Sequence, residues 1–267
     1  FMASGIFIPI FKKGERTMST VFMQEMTWQE FNERKKESVV ILPVGSTEQH
    51  GPMLPLSVDA IISTGLAEMI AEKIGGIVAP CVCYGYKSAP LSGGGPAFPG
   101  TIDLNGITLM SLVKDILEEF IRDGIKKIFI INGHFENEAF ILEAMDLVSR
   151  EHEDVTMIES SWWDQISEDV MDKVFDEVEY PGIELEHAGI LETSLTLYFR
   201  EDLCHMDRFI EDGVDGLLGY SIYPSSKCAV TESGLLTTAR TSSSEKGRLL
   251  AENISAAYVD ILNKRFD

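Results

Sequence analysis

Short apolar runs alternate with longer amphipathic segments along the first 160 residues of the chain. The apolar runs predict strands at 39–44, 77–83, 127–131 and 155–159. Helical periodicity separates them at 58–74, 107–123 and 138–150. This alternation of strand and helix is typical of a mostly parallel sheet covered by helices on both faces. We therefore expect a three-layer α/β/α fold.

Local signals place several helix ends. Thr27 and Glu30 have the spacing of a capping box and open a helix to about residue 36. Gly75 and Gly124 follow apolar helical patterns and should end them. Further helices are predicted at 168–179, 190–200 and 242–263. The inward stripe of helix 107–123 is predicted to contain Leu109, Leu112, Ile116, Phe120 and Ile121.

The chain shows no internal repeat and no clear linker, so we expect one domain over residues 18–267. Residues 1–17 are interpreted as an N-terminal extension, with Met18 as the natural start. Their basic residues follow the apolar stretch, whereas those of a secretory signal precede it.

Composition narrows the set of partners. Hydrophobic residues make up 45% of the chain, which is enough for a substantial core. The formal net charge of −21 disfavours nucleic acid as a partner, because an acidic surface repels phosphates. No stretch predicts a membrane span. The four cysteines contain no CxxC pair, so we expect buried, reduced thiols and a cytoplasmic protein.

Polar residues that bind metals follow two of the predicted strands. Glu48 and His50 are two residues apart after the first strand, and His134 and Glu136 repeat this spacing after the third. Side chains at this spacing point the same way in extended chain, and parallel strands bring such loops together. Asp59, near a helix start, could bridge two ions. Two histidines and three carboxylates suit Zn²⁺ or Mn²⁺, so the spacing predicts a dinuclear site.

The remaining histidines, Trp163 and one long loop can each be interpreted as structural or as functional. His152 and His205 lie among acidic residues and are read as solvated surface histidines. His187, at a helix start with Glu192 nearby, is either structural or functional. Trp163 belongs either to the core or to a substrate-facing wall. The Gly-, Pro- and Ser-rich segment 84–101 is long for a loop and is interpreted as a pocket wall.

Five segments together resemble the creatininase (creatinine amidohydrolase) family, in the family's order and over residues 20–262. They read LPVGSTEQHGPMLPLSVD, YGYKSAPLSGGGPAFPGT, INGHFENE, SSWWD and EHAGILETSL. The resemblance implies a three-layer α/β domain, assembly into hexamers, and two divalent ions per chain, commonly zinc and manganese.

The same resemblance implies roles for individual residues. Glu48, Asp59 and His134 would bind one ion, and His50, Asp59 and Glu136 the other. His187 matches the catalytic histidine, with Glu136 as the second proton-transfer group. Four positions match the creatinine pocket, namely Ser92, Phe135, Trp163 and Glu184. Ile183 stands where creatininase has a tryptophan that helps to close over the substrate.

These observations predict a metal-dependent amidohydrolase that opens a small cyclic amide, either creatinine or a related lactam. Two alternatives remain open on sequence grounds. One is a formamide deformylase of the same family acting on a nucleotide-derived substrate. The other is a non-catalytic metal-binding scaffold.

Overall fold

The computed structural model describes residues 20–88, 95–214, 216, 220 and 231–266. The predicted extension 1–17, Met18, Ser92 of the expected pocket and Cys228 all lie outside the described residues.

Four strands and seven α-helices make up the regular structure of the described residues. The strands are β1 (Val40–Val44), β2 (Ile77–Val78), β3 (Lys127–Asn132) and β4 (Thr156–Ser161). The helices are α1 (Trp28–Arg34), α2 (Val58–Ile74), α3 (Gly106–Arg122), α4 (Glu138–Ser149), α5 (Glu168–Val174), α6 (Ile190–Arg200) and α7 (Ser244–Arg265). Short 3-10 turns connect several of them.

The sheet is entirely parallel, with the strand order β2-β1-β3-β4. The chain first adds β2 on one side of β1 and then crosses over to place β3 on the other side. In open parallel sheets, the crevice between two strands at which the order reverses is the usual ligand site. That crevice lies here beyond the carboxyl ends of β1 and β3.

Helices cover both faces of the sheet, as the strand pattern predicted. In β1, Ile41 faces a core formed mainly with α2, α6 and α7. Its neighbours Val40 and Leu42 face a second core, formed with α3 and α4. Because side chains alternate between the two faces, a strand buried on both sides reads as a continuous apolar run. The α/β/α arrangement is therefore confirmed.

Most element ends agree with the sequence signals. The Thr27 hydroxyl accepts the Glu30 N–H, and the Glu30 carboxylate accepts the Thr27 N–H at 2.7 Å, which forms the predicted capping box. Gly75 and Gly124 have φ values of 70° and 88°, left-handed conformations that end α2 and α3.

Three predictions about these elements were wrong. β2 ends at Val78 instead of residue 83. The Ala79 N–H still donates to the Ile41 oxygen, but the next donor to β1 is the Val82 N–H, to the Pro43 oxygen, so an extra residue interrupts the regular ladder and pairing resumes as an isolated bridge between Val44 and Val82. Helix α5 ends at Val174 instead of residue 179. Leu112 is 39% exposed, and Val113 occupies the buried position of α3.

The cysteines were only partly predicted correctly. Cys81, Cys83 and Cys204 are free thiols, as expected, but Cys83 is exposed rather than buried. In the described part of the chain, no helix is both long and apolar enough to cross a membrane.

Two glycines bring the strand ends against the first turn of α2. A Cβ on Gly45 would lie 2.6 Å from the Ala60 nitrogen and 2.8 Å from the Asp59 carbonyl carbon. A Cβ on Gly133 would lie 2.6 Å from the Asp59 oxygen. Only glycine permits this approach, so these positions determine where the Asp59 side chain lies relative to both strands.

We predict that Gly45→Ala moves the start of α2 and destabilises the protein by about 1–3 kcal/mol, because the new methyl group meets backbone rather than a flexible side chain. Urea unfolding measures the change. Gly76→Ala is the matched control, since its Cβ would meet nothing closer than the Val39 oxygen at 3.2 Å, at the opposite end of the sheet. Equal stability of the two variants would contradict the steric argument.

Candidate metal centre

The predicted metal-binding residues meet in the crevice where the strand order reverses. Glu48 and His50 lie on the loop after β1, and His134 lies directly after β3. Asp59 is the second residue of α2, whose first turn packs against Gly45 and Gly133 at the ends of β1 and β3. All four side chains are buried, with at most 3% of each exposed. The fold therefore gathers residues that are up to 86 positions apart in the sequence.

One group of ligand atoms lies around His134. Its Nδ1 is 2.9 Å from Glu48 Oε1 and 3.2 Å from Asp59 Oδ2. These three residues form one of the clusters whose ligand atoms all lie close enough to hold a single ion. The cluster is the one expected for the first ion.

A second group lies around His50. Its Nε2 is 3.1 Å from Asp59 Oδ1 and 3.5 Å from Glu192 Oε2. These three residues also form a cluster suited to one ion. Asp59 thus contributes one carboxylate oxygen to each group, which is the arrangement of a bridging ligand.

Backbone carbonyls orient both imidazoles. His134 Nε2 lies 2.9 Å from the Tyr86 carbonyl oxygen, and His50 Nδ1 lies 3.3 Å from the Glu48 carbonyl oxygen. If each of these nitrogens carries the proton and donates it, the opposite nitrogen keeps a lone pair directed at the carboxylates. Such bonds fix the ring and the tautomer of a histidine that binds a metal.

The chemistry of the cluster fits a divalent cation. His50 Nε2 and Asp59 Oδ2 are buried and make no hydrogen bond of acceptable geometry, despite their close neighbours. Buried polar atoms of this kind normally have partners. Three buried carboxylates beside two imidazoles leave an excess of negative charge, which a cation would neutralise.

The pKa values of the metal-free site reflect this crowding. Burial, partly offset by the charge of His134, raises the pKa of Glu48 to about 7. Burial would also raise the pKa of Asp59, but the neighbouring His50 and His134 outweigh it and lower that pKa. Burial and the charge of His50 lower the pKa of His187.

Glu136, which the family resemblance places with the second ion, lies beside His134 at the cavity. The expectation joined Glu136 with His50 and Asp59, but the carboxylate found beside these two residues is that of Glu192. Glu136 Oε2 instead lies 3.3 Å from His134 Nε2, on the side of that ring turned away from Glu48 and Asp59. The assignment of Glu136 to the second ion stays a prediction, and Glu192 is a further candidate ligand.

A local signal for Glu192 was present in the sequence. It is the one charged residue in the otherwise uncharged stretch 190–199, and α6 buries this stretch against α2 and α7. A lone carboxylate on a buried helix is costly unless it has a partner. Without the fold, however, nothing connects the start of α6 to the loop after β1.

The turn that precedes α6 holds His187 in a defined position. Ala188 has a φ of 54°, the only positive value among the described non-glycine residues. Its N–H donates to Glu192 Oε2 at 2.6 Å, and the Leu191 N–H donates to Glu186 Oε2 at 2.8 Å. Left-handed backbone at a non-glycine residue persists only where the surroundings enforce it, and such strain is common at functional sites.

His187 packs directly against the ligand cluster. Its ring centroid is 4.4 Å from that of His50, and its Nε2 lies 2.9 Å from the Gln49 carbonyl oxygen. The Gln49 side chain is also held, since Oε1 accepts the Gly51 N–H at 2.8 Å and Nε2 donates to the Gly234 oxygen at 3.0 Å. Gln49 was not predicted as a site residue, although it lies between Glu48 and His50.

A cavity opens from the cluster to the surface. The Phe135 and Trp163 rings both line it and stack on each other with centroids 5.8 Å apart. The aromatic, aliphatic and acidic residues of its lining are Glu48, His134, Phe135, Glu136, Trp162, Trp163, Ile183, Glu184, Glu186, His187 and Glu192. The structure therefore places Trp163, Ile183 and Glu184 at the cavity. The lining found among the described residues includes five glutamates and neither lysine nor arginine.

Some described residues of segment 84–101 contact the metal-binding cluster, which agrees in part with its interpretation as a pocket wall. Tyr86 supplies the carbonyl oxygen beside His134, and the Ser88 hydroxyl donates to Glu48 Oε2. Phe98, by contrast, lines a separate surface depression near Ile210. The two remaining histidines are distant from the cavity: His152 pairs with Glu118 at 3.0 Å, and His205 is exposed.

The raised pKa of Glu48 predicts how the stability of metal-free protein varies with pH. Its folded-state value of about 7 exceeds the ordinary value of 4.5, so the folded state binds more protons than the unfolded state between these pH values. This contribution to stability is present below about pH 4.5 and is lost as the pH rises through about 7.

Thermal unfolding of chelator-treated protein from about pH 5 to pH 8 measures the effect. Other groups titrate in this range, and the lowered pKa of His187 acts in the opposite direction, so the comparison is made with Glu48→Gln. Relative to this variant, the parent should lose stability as the pH rises. A parent that gains stability relative to Glu48→Gln would contradict the assigned pKa shift.

Known proteins resemble this chain in both sequence and structure. The family model described as "Creatininase: Creatinine amidohydrolase" matches residues 24–262. The creatinine amidohydrolase of Pseudomonas putida is 36% identical over 254 residues, covering 92% of this chain and 98% of that protein. The mycofactocin precursor peptide peptidase of Mycolicibacterium smegmatis is 30% identical over 229 residues, covering 81% of each chain.

Solved structures agree with these matches. A mutant creatininase described as "Zn-Zn type" superimposes with a TM-score of 0.87 at 36% identity, covering 92% of this chain and 98% of that one. A structure described as "Creatininase Mn" has the same TM-score and identity, and the match covers 92% of this chain and 99% of that one. The match of family, relatives and fold over most of the sequence shows that this chain belongs to the creatininase family.

Proposed function

We propose that this protein is a dinuclear metal-dependent amidohydrolase that opens a small cyclic amide, either creatinine or a related lactam. The observation that carries the proposal is the buried cluster of two imidazoles and three carboxylates, in which Asp59 has one oxygen in each group. The named activity of the Pseudomonas putida relative and the metals named for the solved structures support the same reading.

We assign the two metal positions from the two ligand groups. Glu48, Asp59 and His134 would hold one divalent ion, and His50, Asp59 and Glu192 the other. Glu192 replaces Glu136 in the set expected from the sequence. Zinc or manganese suits this mixture of nitrogen and oxygen ligands. Such ions, when bound, lower the pKa of a water ligand and polarise a carbonyl group.

His187 and Glu136 are the residues proposed to move protons. His187 Nε2 lies 2.9 Å from the Gln49 carbonyl oxygen and 3.0 Å from the Gln49 side-chain nitrogen. If Nε2 carries the proton and donates it to the carbonyl, Nδ1 is the ring atom that can take a proton. Its lowered pKa keeps the ring neutral near pH 7, so it can act as a proton acceptor. Glu136, beside His134 at the cavity, can carry a proton towards the leaving nitrogen.

The shape of the cavity favours a small flat ring. The stacked rings of Phe135 and Trp163 offer aromatic surface to such a substrate, and Ile183 adds an aliphatic side chain. Glu184, exposed at the cavity, can pair with a guanidinium-like group. Ile183 is smaller than the tryptophan expected at this position in creatininase, so related lactams are proposed beside creatinine itself. Ser92 stays a proposed substrate contact outside the described residues.

The two alternatives are less well supported. A nucleotide-derived formamide would bring a phosphate to a cavity whose described lining is acidic, where like charges repel. A non-catalytic scaffold would have no need for His187 in a strained turn against the ligand cluster. We further propose that the chain forms one domain over residues 18–267, that it assembles as a hexamer, and that it acts in the cytoplasm.

Under this ligand assignment, replacing Glu192 or Glu136 by glutamine should affect the number of bound ions differently. Glu192→Gln should lose one of two bound divalent ions per chain, because an amide is a weaker ligand than a carboxylate. Glu136→Gln should keep both ions and lose turnover by about 10²–10⁴-fold. Elemental analysis of the purified variants measures the ions. Loss of an ion only in Glu136→Gln would show that Glu136, not Glu192, is the ligand.

A substrate panel tests the activity. Creatinine, small lactams, formamides and short peptides are incubated with the metal-loaded enzyme, and we expect hydrolysis of a cyclic amide. His187→Ala should keep its metals but lose about 10²–10⁴-fold in turnover. Ile183→Trp should raise turnover of creatinine relative to the other lactams. Hydrolysis of formamides or peptides alone would overturn the proposed substrate class.

A further inference from the structure

Gln49 lies between two proposed metal ligands and contacts the histidine proposed to move protons. It is 5% exposed and follows Glu48 on the loop after β1. Its carbonyl oxygen lies 2.9 Å from His187 Nε2, and its side-chain nitrogen lies 3.0 Å from the same atom. Two groups of one residue therefore meet a single ring nitrogen, which is 138 positions away in the sequence.

The side chain of Gln49 is fixed through both polar atoms of its amide group. Oε1 accepts the Gly51 N–H at 2.8 Å, and Nε2 donates to the Gly234 oxygen at 3.0 Å. These bonds determine which end of the amide is nitrogen, because the reverse assignment would pair donor with donor and acceptor with acceptor. An amide nitrogen carries two hydrogens, so Nε2 can donate to the Gly234 oxygen and also to a second acceptor.

Gly234 leaves room for this amide group. Its φ is 84°, in the left-handed region. A Cβ at this position would lie 2.1 Å from Gln49 Oε1 and 2.5 Å from Gln49 Cδ. The amide could move aside only by giving up the hydrogen bonds that hold it, so a glycine is required here. The turn that contains Gly234 thus acts on Gln49 and, through it, on His187.

The position of the His187 ring needs such restraint because the metal-binding cluster is close. Glu48, His50 and His187 each bring one ligand atom near enough to the others to hold an ion. A lone pair of a neutral imidazole can bind a metal or accept a proton, but it cannot do both at once. A ring so close to the proposed ions must be held by other contacts if it is to stay available for proton transfer.

We propose that Gln49 is a positioning residue that holds the His187 ring in the orientation used for proton transfer. A protonated Nε2 donates to the Gln49 carbonyl oxygen, and an unprotonated Nε2 accepts from the Gln49 amide. The ring nitrogen has a partner in either tautomer, so the orientation of the ring does not depend on which tautomer is present. The inference rests on the proposed function of His187, and Gln49 itself needs no contact with the substrate.

Two substitutions test this role in the metal-loaded enzyme. Gln49→Ala removes the amide but leaves the backbone carbonyl, and Gly234→Ala displaces the same amide from its other side. Both variants should keep the metal content and the KM of the parent, while kcat falls by about 10- to 100-fold, because the proton-transfer group is misplaced but still present. Elemental analysis measures the metal content, and circular dichroism checks that each variant is folded.

Gln165→Ala is the matched control. Gln165 is also partly buried, and its Nε2 donates to Ser160 Oγ at 3.1 Å, so this variant loses an amide hydrogen bond of the same kind away from His187. Its kcat should equal that of the parent.

A second measurement needs no substrate. The chain contains five histidines, so the ring-nitrogen signals in proton–nitrogen correlation NMR spectra of the zinc-loaded protein can be assigned with single His→Ala variants. The His187 signals should shift in Gln49→Ala, because Nε2 loses one of its two contacts. The signals of His152 and His205, which lie away from the cavity, should stay where they are in the parent.

Three results would overturn the proposal. The first is an unchanged kcat in Gln49→Ala that is merely less stable to heat, as expected of a purely structural residue. The second is an unchanged set of His187 signals in that variant. The third is loss of an ion, which would mean that Gln49 acts on the ligands instead of on His187. If the parent hydrolyses no compound of the substrate panel, the proposed function fails, and the NMR spectra alone decide whether Gln49 holds the ring.

Discussion

The buried negative charge at the edge of the sheet is the constraint on which the rest of this structure depends. Glu48, Asp59 and Glu192 place three carboxylates within reach of two imidazoles in a region almost closed to water. Burying such groups without compensation is strongly unfavourable. Proton sharing relieves part of the repulsion, as the raised pKa of Glu48 indicates, and divalent cations would relieve far more. A rigid parallel sheet, with Gly45 and Gly133 packed on α2, holds the groups in place.

Much of the fold follows from the sequence because its determinants are local. Buried parallel strands are continuous apolar runs, and α2 begins and ends where its pattern and Gly75 predicted. The errors arose where a local pattern met a tertiary constraint. The ladder between β1 and β2 is interrupted after Ala79, and only the position of α3 on the sheet determines that Val113, rather than Leu112, is buried.

The candidate site was predictable to a similar extent. The pairs Glu48–His50 and His134–Glu136 are each visible as a repeated spacing after a strand, and the structure brings their histidines and Glu48 together with Asp59. Glu192 could not be assigned, because its helix reaches the site only through packing among α2, α6 and α7. The family resemblance names Glu136 for the second group, where the structure places the carboxylate of Glu192 beside His50 and Asp59. Spacing therefore predicts which side chains of neighbouring loops meet, and it misses a carboxylate that comes from a distant helix.

The carboxylate of Glu192 links two parts of the site that are usually considered separately. Its Oε2 lies 3.5 Å from His50 Nε2 and also accepts the Ala188 N–H at 2.6 Å, so one atom contacts both a ligand group and the turn that carries His187. The turn is formed with this hydrogen bond alone, so the position of His187 does not require an ion. A substitution of Glu192 would therefore disturb the group around His50 and the turn of His187 at the same time.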